Sequence, residues 1–361
     1  MIADWTVTYD PYGTPTVLDD VQEITSFYGK RKISDPRRPS QITVTGRNVA
    51  GLPTISLYDV IEIEARDASD NYLVFADSGV VVDFEIIYGI VAAQDIWVLT
   101  VASNENSVAS TVFSGGSLTS GDSLEDAIVD LSTNIPDVVG SSFSGIPDLR
   151  VSALTLTGLN VSEVLDRFAA TGALRWSISP TNTLTFAGPY LYATGGSPVR
   201  RNLTDDGTGT NPIKYDRLAF SSLADNYAPV IEIDPDTGSN VTVGTGRRTE
   251  VFNTYSFNTN EATSLAEYYE VLYSSDEATP AEVSFLWSGI PAGRQEYLDF
   301  FDIADVTFRS TTYETLAIGF AITASPDDTR ETLYLAPANI TNYLILDDAS
   351  FGQLDNNRLG L

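Results

Sequence analysis

Apolar residues along most of the chain recur at every second position, in short runs separated by turn-forming residues. In residues 61–66, for example, isoleucine or alanine alternates with a charged residue. This period predicts β-strands with one buried face, and no helical pattern interrupts it in the first 103 residues. We therefore expect residues 1–103 to form a β-barrel or sandwich, because consecutive strands need closure or a second sheet to protect their edges.

The period becomes helical in the middle of the chain. Asn160 can cap a helix, and Glu163 follows at the capping-box spacing. Apolar residues then recur at intervals of three and four as far as Ala169, which predicts one buried helical face. Gly172 stands where a helix can end in the left-handed conformation.

A β-hairpin is predicted directly after this helix. Alternation resumes through Trp176, a polar turn follows at residues 179–182, and alternation continues through Phe186. The pattern therefore predicts a short helix packed on a hairpin. We expect Phe168, Trp176 and Phe186 to form the hydrophobic core of this small α/β unit.

The flanking regions complete the predicted domain order. Residues 103–121 are rich in Ser, Asn and Gly, which predicts a linker, and Ser123 can cap an earlier helix. We therefore expect a small α/β insertion domain, with linkers, over residues 104–212. Over residues 213–361, strands return together with one helix, for which Asn260 is the expected cap. This last region predicts a second barrel that ends in a C-terminal arm.

The composition argues against ordinary enzymology. The 361 residues include no histidine and no cysteine, which removes the usual general base, the usual zinc ligands and any disulfide framework. The remaining chemistry is that of carboxylates. We therefore expect that the protein is not an enzyme and that it needs no cofactor.

The net charge of −29 bears on the partners. So large a negative charge keeps a protein soluble and repels polyanions, so ordinary nucleic-acid binding is not expected. Two compatible interpretations remain, a solvated acidic surface and an acidic wall past which DNA slides without sticking. The most apolar stretch, residues 84–101, is interrupted by charged residues, so no membrane partner is expected either.

One basic segment contrasts with this acidic background. Five of the 20 basic residues fall within nine positions, namely Lys30, Arg31, Lys32, Arg37 and Arg38. The segment fits a solvated loop, a docking loop that meets an acidic neighbouring ring or, least well, a site for phosphate.

Two acidic turns have a partial likeness to calcium loops, at residues 205–207 and 234–240. Neither supplies the full spacing of ligands with a closing glutamate. The second lies between two short apolar runs, which favours a hairpin turn. We therefore expect no metal site.

Two motifs resemble known proteins. The helix that ends in Thr171-Gly172, the strand with Trp176 and the run Thr183-Leu184-x-Phe186 resemble the small α/β domain of baseplate or tail hub proteins of long-tailed bacteriophages. The C-terminal segments 342–348, 351–355 and 357–360 resemble the closing motif of minor tail proteins of siphovirus-type phages.

This resemblance implies a mainly β fold with two tail-tube-like barrels and one small α/β domain. It also implies a non-enzymatic virion protein of the tail tip or baseplate, a homotrimer whose ring stacks on the hexameric tail tube or on a distal tail protein. A tail fibre or central tip protein would bind below, and the tape-measure protein and then DNA would pass through the lumen. The expected contacts with neighbours are the basic segment and the apolar or basic residues of the C-terminal arm, which are Leu346, Phe351, Leu354 and Arg358.

Three other functions remain open. Exposed aromatic residues on a β scaffold could bind carbohydrate in a receptor-binding tail-tip protein. A pair of acids could hydrolyse a glycan, although adjacent acids such as Asp347-Asp348 do not form a cleft. A tail-tube subunit is the third alternative, but it needs only one barrel and no insertion.

Overall fold

β-strands dominate the computed structural model, and the α-helices that it describes fall between residues 104 and 273. The structure describes residues 3–10, 13–31, 38–49, 51, 53–67, 73–144, 146–179, 182–188, 200–221, 230–236, 238–245, 249–273, 278–290 and 303–337. The predicted mainly β fold with a mixed α/β part is confirmed.

The elements fall into three groups along the chain. The N-terminal module consists of β1 (Ala3–Tyr9), β2 (Thr16–Val17), β3 (Val21–Gly29), β4 (Arg38–Arg47), β5 (Val60–Asp67), β6 (Leu73–Ile87) and β7 (Ile96–Ser103). The first mixed unit contains α1 (Asn104–Ala109), β8 (Ser117–Leu118), α2 (Leu124–Asn134), β9 (Gly140–Ser144), β10 (Leu154–Thr155), α3 (Val161–Thr171), β11 (Arg175–Ile178) and β12 (Thr183–Ala187). The remaining elements are β13 (Arg200–Thr204), β14 (Pro212–Phe220), β15 (Val230–Pro235), β16 (Val241–Val243), β17 (Thr249–Thr254), α4 (Thr259–Tyr273), β18 (Pro280–Leu286), β19 (Ile303–Phe308), β20 (Thr311–Ala324) and β21 (Thr329–Pro337).

Six strands of the C-terminal half close into a barrel. Neighbouring strands follow the order β19-β13-β14-β18-β21-β20, and β20 pairs back with β19 to complete the ring. Closure removes the open edges that a flat sheet would expose. Among the described residues, buried side chains such as Leu203, Phe285 and Leu333 pack together, so this C-terminal barrel has a filled hydrophobic core.

Strand β20 joins this barrel to the N-terminal module. One of its edges pairs with β21. Along the other edge, residues 311–316 pair with β19, whereas residues 319–324 pair with β3. The same sheet then continues in the order β4-β7-β6-β5-β1-β2. One strand therefore belongs to both β modules, and one hydrophobic core extends through them.

The change of partner along β20 coincides with a break in its pairing. The register with β21 shifts between Ala317 and Gly319, and the amide of Lys30 donates to the carbonyl of Ile318 at 2.9 Å. The end of β3 comes so close that a Cβ atom on Gly319 would lie 2.3 Å from the carbonyl oxygen of Lys30. Glycine is therefore required here, because a side chain would force two backbones apart.

The first mixed unit begins directly after β7. Its three-stranded sheet has the order β11-β12-β9, and the helices cover a separate core. Asn160 caps α3 as predicted, since its side chain accepts a hydrogen bond from the amide of Glu163 at 3.2 Å. Ser123 caps α2 in the same way.

The predicted conformation of Gly172 is wrong. Its φ angle is −110°, and Ala173 takes the left-handed conformation with a φ of 52°. Gly172 is needed for space, because a Cβ atom there would lie 2.6 Å from Cδ2 of Leu124.

A second mixed unit lies within the region predicted to be wholly part of the second barrel. Strands β16-β15-β17 form their own sheet, and α4 packs on it around a small core. Strands β15 and β16 pair antiparallel, as the predicted hairpin requires. The cap of α4 differs from the prediction, because the side chain of Asn258 accepts hydrogen bonds from the amides of Asn260 and Glu261.

Two further elements depart from the predicted order. Strand β13 falls within the predicted insertion but pairs in the barrel, and helix α1 occupies the start of the predicted linker. The domain boundaries stay a prediction. Of the helices that the structure describes, none has the length and apolar character needed to cross a membrane.

Gly319→Ala should lower the stability of the whole chain. The added methyl group overlaps the backbone of β3, and overpacking of this kind typically costs about 1–3 kcal/mol. Gly140→Ala is the matched control, because a Cβ atom at Gly140 meets nothing within 4 Å. Thermal unfolding followed by circular dichroism measures both variants. Equal melting temperatures for Gly319→Ala and Gly140→Ala would contradict the close approach.

Candidate functional site

Phe168, Trp176 and Phe186 lie together in the core of the first mixed unit, and each is almost completely buried. Helix α3 supplies Phe168, whereas Trp176 and Phe186 are direct partners in the β11–β12 pair. The indole Nε1 of Trp176 donates to Oδ1 of Asp166 at 2.9 Å, which satisfies the polar atom of the ring. This core stabilises the unit and offers no reactive group.

The first mixed unit is attached to the place where β20 changes partner. The guanidinium of Arg175, on β11, donates a hydrogen bond to the carbonyl of Ala317. Ala317 is the last residue of β20 before the register shift. The junction of the two β modules is therefore also a point of contact for the insertion.

The predicted basic segment is described only at its two ends. Lys32 and Arg37 lie outside the described residues, and Arg38 begins β4. Lys30 and Arg31 follow β3, and the Arg31 guanidinium stacks 5.4 Å from the ring centre of Phe27. Arg31 therefore lies on the outer face of the sheet, and its role in an interface stays a prediction.

The predicted contacts of the C-terminal arm fall in the last part of the sequence. Leu346, Phe351, Leu354 and Arg358 all lie outside the described residues, as does the acidic pair at residues 347–348. Their role as neighbour contacts stays a prediction.

The carboxylates of the acidic turn at residues 205–207 accept hydrogen bonds from other residues of the same chain. Oδ2 of Asp205 accepts a hydrogen bond from the amide of Arg309 at 3.1 Å. Both the amide and the hydroxyl of Thr208 donate to Asp206 and lower its pKa. In the part of the chain that the structure describes, no group of three or more acids could hold a metal ion. These carboxylates shape turns, and they do not form a catalytic pair across a cleft.

The C-terminal barrel contains a buried ionic group that the sequence analysis missed. Glu331 and Arg201 are both buried, and Nε1 of Trp287 donates to Oε2 of Glu331 at 2.8 Å. Burial raises the pKa of Glu331, while the charge of Arg201 and the Trp287 hydrogen bond act in the opposite direction. Both charged residues occupy inward positions of strands that also carry buried leucines. In the sequence, the available signal of this buried pair was a charged residue on the same strand face as a leucine.

The N-terminal module contains a second buried acid. Asp77, on β6, accepts hydrogen bonds from the hydroxyl of Tyr28 at 2.6 Å and from the amide of Ser78 at 2.7 Å. Glu105, on α1, is buried nearby. Burial raises the pKa of Asp77 from 3.8 to about 7, and the negative charge of Glu105 adds to this rise. The two acids lie where the N-terminal module meets the first mixed unit.

Solved structures share this fold over nearly the whole chain. The tail protein from Neisseria meningitidis MC58 is 14% identical, with a TM-score of 0.66 over 93% of this chain and 97% of the other. The 43 kDa tail protein of prophage MuSo2 from Shewanella oneidensis is 9% identical, with a TM-score of 0.60 over 93% and 98%. The prophage tail protein gp18 from Listeria monocytogenes EGD-e is 10% identical, with a TM-score of 0.55 over 92% and 94%.

The chain has the fold of phage tail proteins. The resemblance to tail proteins is thus confirmed at the level of the fold, whereas the C-terminal motif lies outside the described residues. No protein-family model and no curated protein sequence matches this chain. At these identities the tail-protein fold is shared, whereas the individual contact residues are not carried over.

Asp77→Asn should change how the stability of this tail-fold protein depends on pH. Because the folded pKa of Asp77 lies above the unfolded value, the folded state holds the extra proton between about pH 4 and pH 7. The free energy of unfolding therefore falls as the pH rises through this window, by about 4 kcal/mol for a shift of this size. Asparagine resembles the protonated acid, so the variant should gain stability over the wild type as the pH rises.

Chemical denaturation of the full chain at about pH 5 and about pH 8 measures this difference. Asp83→Asn is the control, because Asp83 is an exposed carboxylate on the same strand. The assignment fails if the wild type and Asp77→Asn have parallel stability profiles over the two pH values.

Proposed function

We propose that the chain is a structural protein of the virion, the hub at the tail tip of a long-tailed phage. In this role, copies of the chain form a ring that joins the hexameric tail tube to the tip and fibres. The observation that carries the proposal is the fold itself, which solved tail proteins share over more than nine-tenths of both chains.

The two β modules support a ring. They share strand β20, so their relative orientation is fixed by backbone hydrogen bonds. Three chains would present six β modules, and a three-fold object could then match a six-fold tube through similar contacts. The C-terminal barrel is filled by side chains, so any passage for the tape-measure protein and DNA would run between copies.

The charge also supports this role. A net charge of −29 gives a strongly negative field around the ring. DNA that passes through such a ring is repelled from the wall and does not stick to it. The same field disfavours stable nucleic-acid binding.

The proposed partners are other tail components. They are further copies of the chain in a trimer, a tail-tube or distal tail protein ring above, a fibre or central tip protein below, and the tape-measure protein in the lumen. The proposal assigns no reaction to the protein, since the described acidic turn at residues 205–207 is engaged in local hydrogen bonds.

Electron microscopy and light scattering of the purified full chain test this proposal. We expect a three-fold ring with an open centre wide enough for duplex DNA, and capture of the tail-tube or distal tail protein from the same phage. A monomer that binds host cells would instead favour a receptor-binding protein. Cleavage of a capsular polysaccharide by the chain would contradict the non-enzymatic role.

A further inference from the structure

Strand β6 runs past the end of one of its neighbours. Strand β5 pairs with β6 only from Leu73 to Val80. Strand β6 then continues to Ile87, and β7 is its partner along this extension. Strand β7 stays paired with β4 as far as Ile96, so the part that extends past β5 is the open outer edge of β6 and the turn that follows it. We call residues 82–95 the hairpin arm.

Large apolar side chains are exposed along the hairpin arm, above all at its tip. Ile90 is 97% exposed and Tyr88 is 74% exposed. Val82, Ile87 and Val91 are also exposed. A cluster of large apolar side chains that is exposed to water marks a surface that a binding partner covers.

The tip of the arm is held in one conformation by a buried acid. Oδ1 of Asp95 accepts a hydrogen bond from the amide of Gly89 at 2.8 Å. Oδ2 of Asp95 accepts a bond from the side-chain amide of Asn48 at 3.2 Å. The backbone of Asn48 also donates to the carbonyl of Asp95 at 3.0 Å. The apolar tip is thus preorganised, which lowers the entropy lost when a partner binds it.

The arm is also anionic. Asp83 and Glu85 are exposed at alternate positions that lead to Ile87, so the three side chains share one face of β6. The sequence contains no lysine or arginine between Arg66 and Arg150. A partner for this face therefore needs cations beside apolar or aromatic groups.

The outer face of the large sheet carries such a surface. Phe27 and Tyr334 meet edge to face with ring centres 5.6 Å apart, and Arg31 stacks over both rings. Arg217 is 69% exposed and lies 3.9 Å from Glu282. We call Phe27, Arg31, Arg217 and Tyr334 the basic–aromatic patch. Arginine and tyrosine are the residue types that dominate binding energy in protein interfaces.

The arm and the patch lie at opposite ends of strand β4. The pair Arg47–Ile96 marks the arm end, and the pair Gly29–Arg38 marks the patch end. The strand between them spans about 30 Å at the usual rise per residue. The two surfaces therefore cannot meet within one chain, but they can meet between two copies.

We propose that the hairpin arm of one copy docks on the basic–aromatic patch of a second copy. The contact is head to tail, because each copy offers one arm and one patch, and such contacts close into a ring when the rotation permits. This inference rests on the proposed function, since it names the contact that would hold the ring together.

Charge complementarity favours a second copy of the chain as the partner that binds the patch. Each chain has a net charge of −29, so two copies repel unless the contact itself pairs opposite charges. In the docked pair, Arg31 and Arg217 of one copy lie against the face of β6 that carries Asp83 and Glu85 in the other copy. Phe27 and Tyr334 supply apolar area for the tip of the arm. The same pairing predicts that added salt weakens the contact.

Cross-linking of the full chain tests the proposal directly. The sequence has no cysteine, so any introduced thiol is unique. We would mix Ile90→Cys protein with Arg217→Cys protein and add a short bismaleimide cross-linker. We expect a covalent heterodimer from this mixture. Thr133→Cys, at an exposed position of α2, replaces Arg217→Cys in the control mixture and should give none.

The possible outcomes test the contact between arm and patch separately from the formation of a ring. A ring without the Ile90–Arg217 cross-link overturns the proposed contact and leaves the hub role intact. Cross-links between two Ile90→Cys chains overturn the head-to-tail arrangement. A chain that stays monomeric at all concentrations, without cross-links, overturns both the ring and the contact.

Charge exchange supplies a second, independent measurement. In sedimentation velocity, Arg31→Glu with Arg217→Glu should raise the dissociation constant of the assembly at least about tenfold. Adding Asp83→Arg and Glu85→Arg to the same chain should recover most of this loss. Failure of recovery, with all variants folded by circular dichroism, would overturn the charge pairing between arm and patch.

Discussion

The backbone hydrogen bonds along strand β20 are the constraint on which the arrangement of both β modules depends. One edge of this strand pairs first with β19 and then with β3, so a single segment closes the barrel and starts the N-terminal sheet. Modules joined by a flexible linker can rotate freely. Modules that share a strand cannot rotate in this way, because the hydrogen bonds of the sheet fix their relative orientation.

Aromatic contacts also bridge the two β modules, and each is tied to a buried acid. The ring of Tyr28 stacks on Phe320 of β20 with centres 4.7 Å apart, and its hydroxyl holds Asp77. In the barrel, Trp287 stacks on Trp5 of β1 at 5.7 Å, and its indole nitrogen holds Glu331. Both acids are therefore bonded to rings that bridge the modules. Loss of either bond would leave a buried carboxylate poorly satisfied, which is costly.

Local patterns in the sequence predicted the local structure well. The side chain of Asn160 and the alternation around Trp176 are determined by neighbouring residues, and both predictions agree with the structure. Predictions that depend on distant residues were weaker. Gly172 is a glycine because Leu124 packs against it from another helix, and β13 belongs to the barrel because β19 pairs with it. The buried positions of β20 change phase at the register shift between Ala317 and Gly319, and this change coincides with the exchange of β19 for the distant strand β3.

The closed barrel has a consequence for biosynthesis. Strand β13 acquires its neighbour β19 only after about a hundred further residues have been translated, and β3 acquires its neighbour β20 only after about 290. Pairings so distant along the chain form slowly, and an edge that waits for its partner is prone to aggregate. The nascent N-terminal sheet therefore leaves the ribosome with an open flank. That flank stays exposed to aggregation until β20 emerges and pairs with β3.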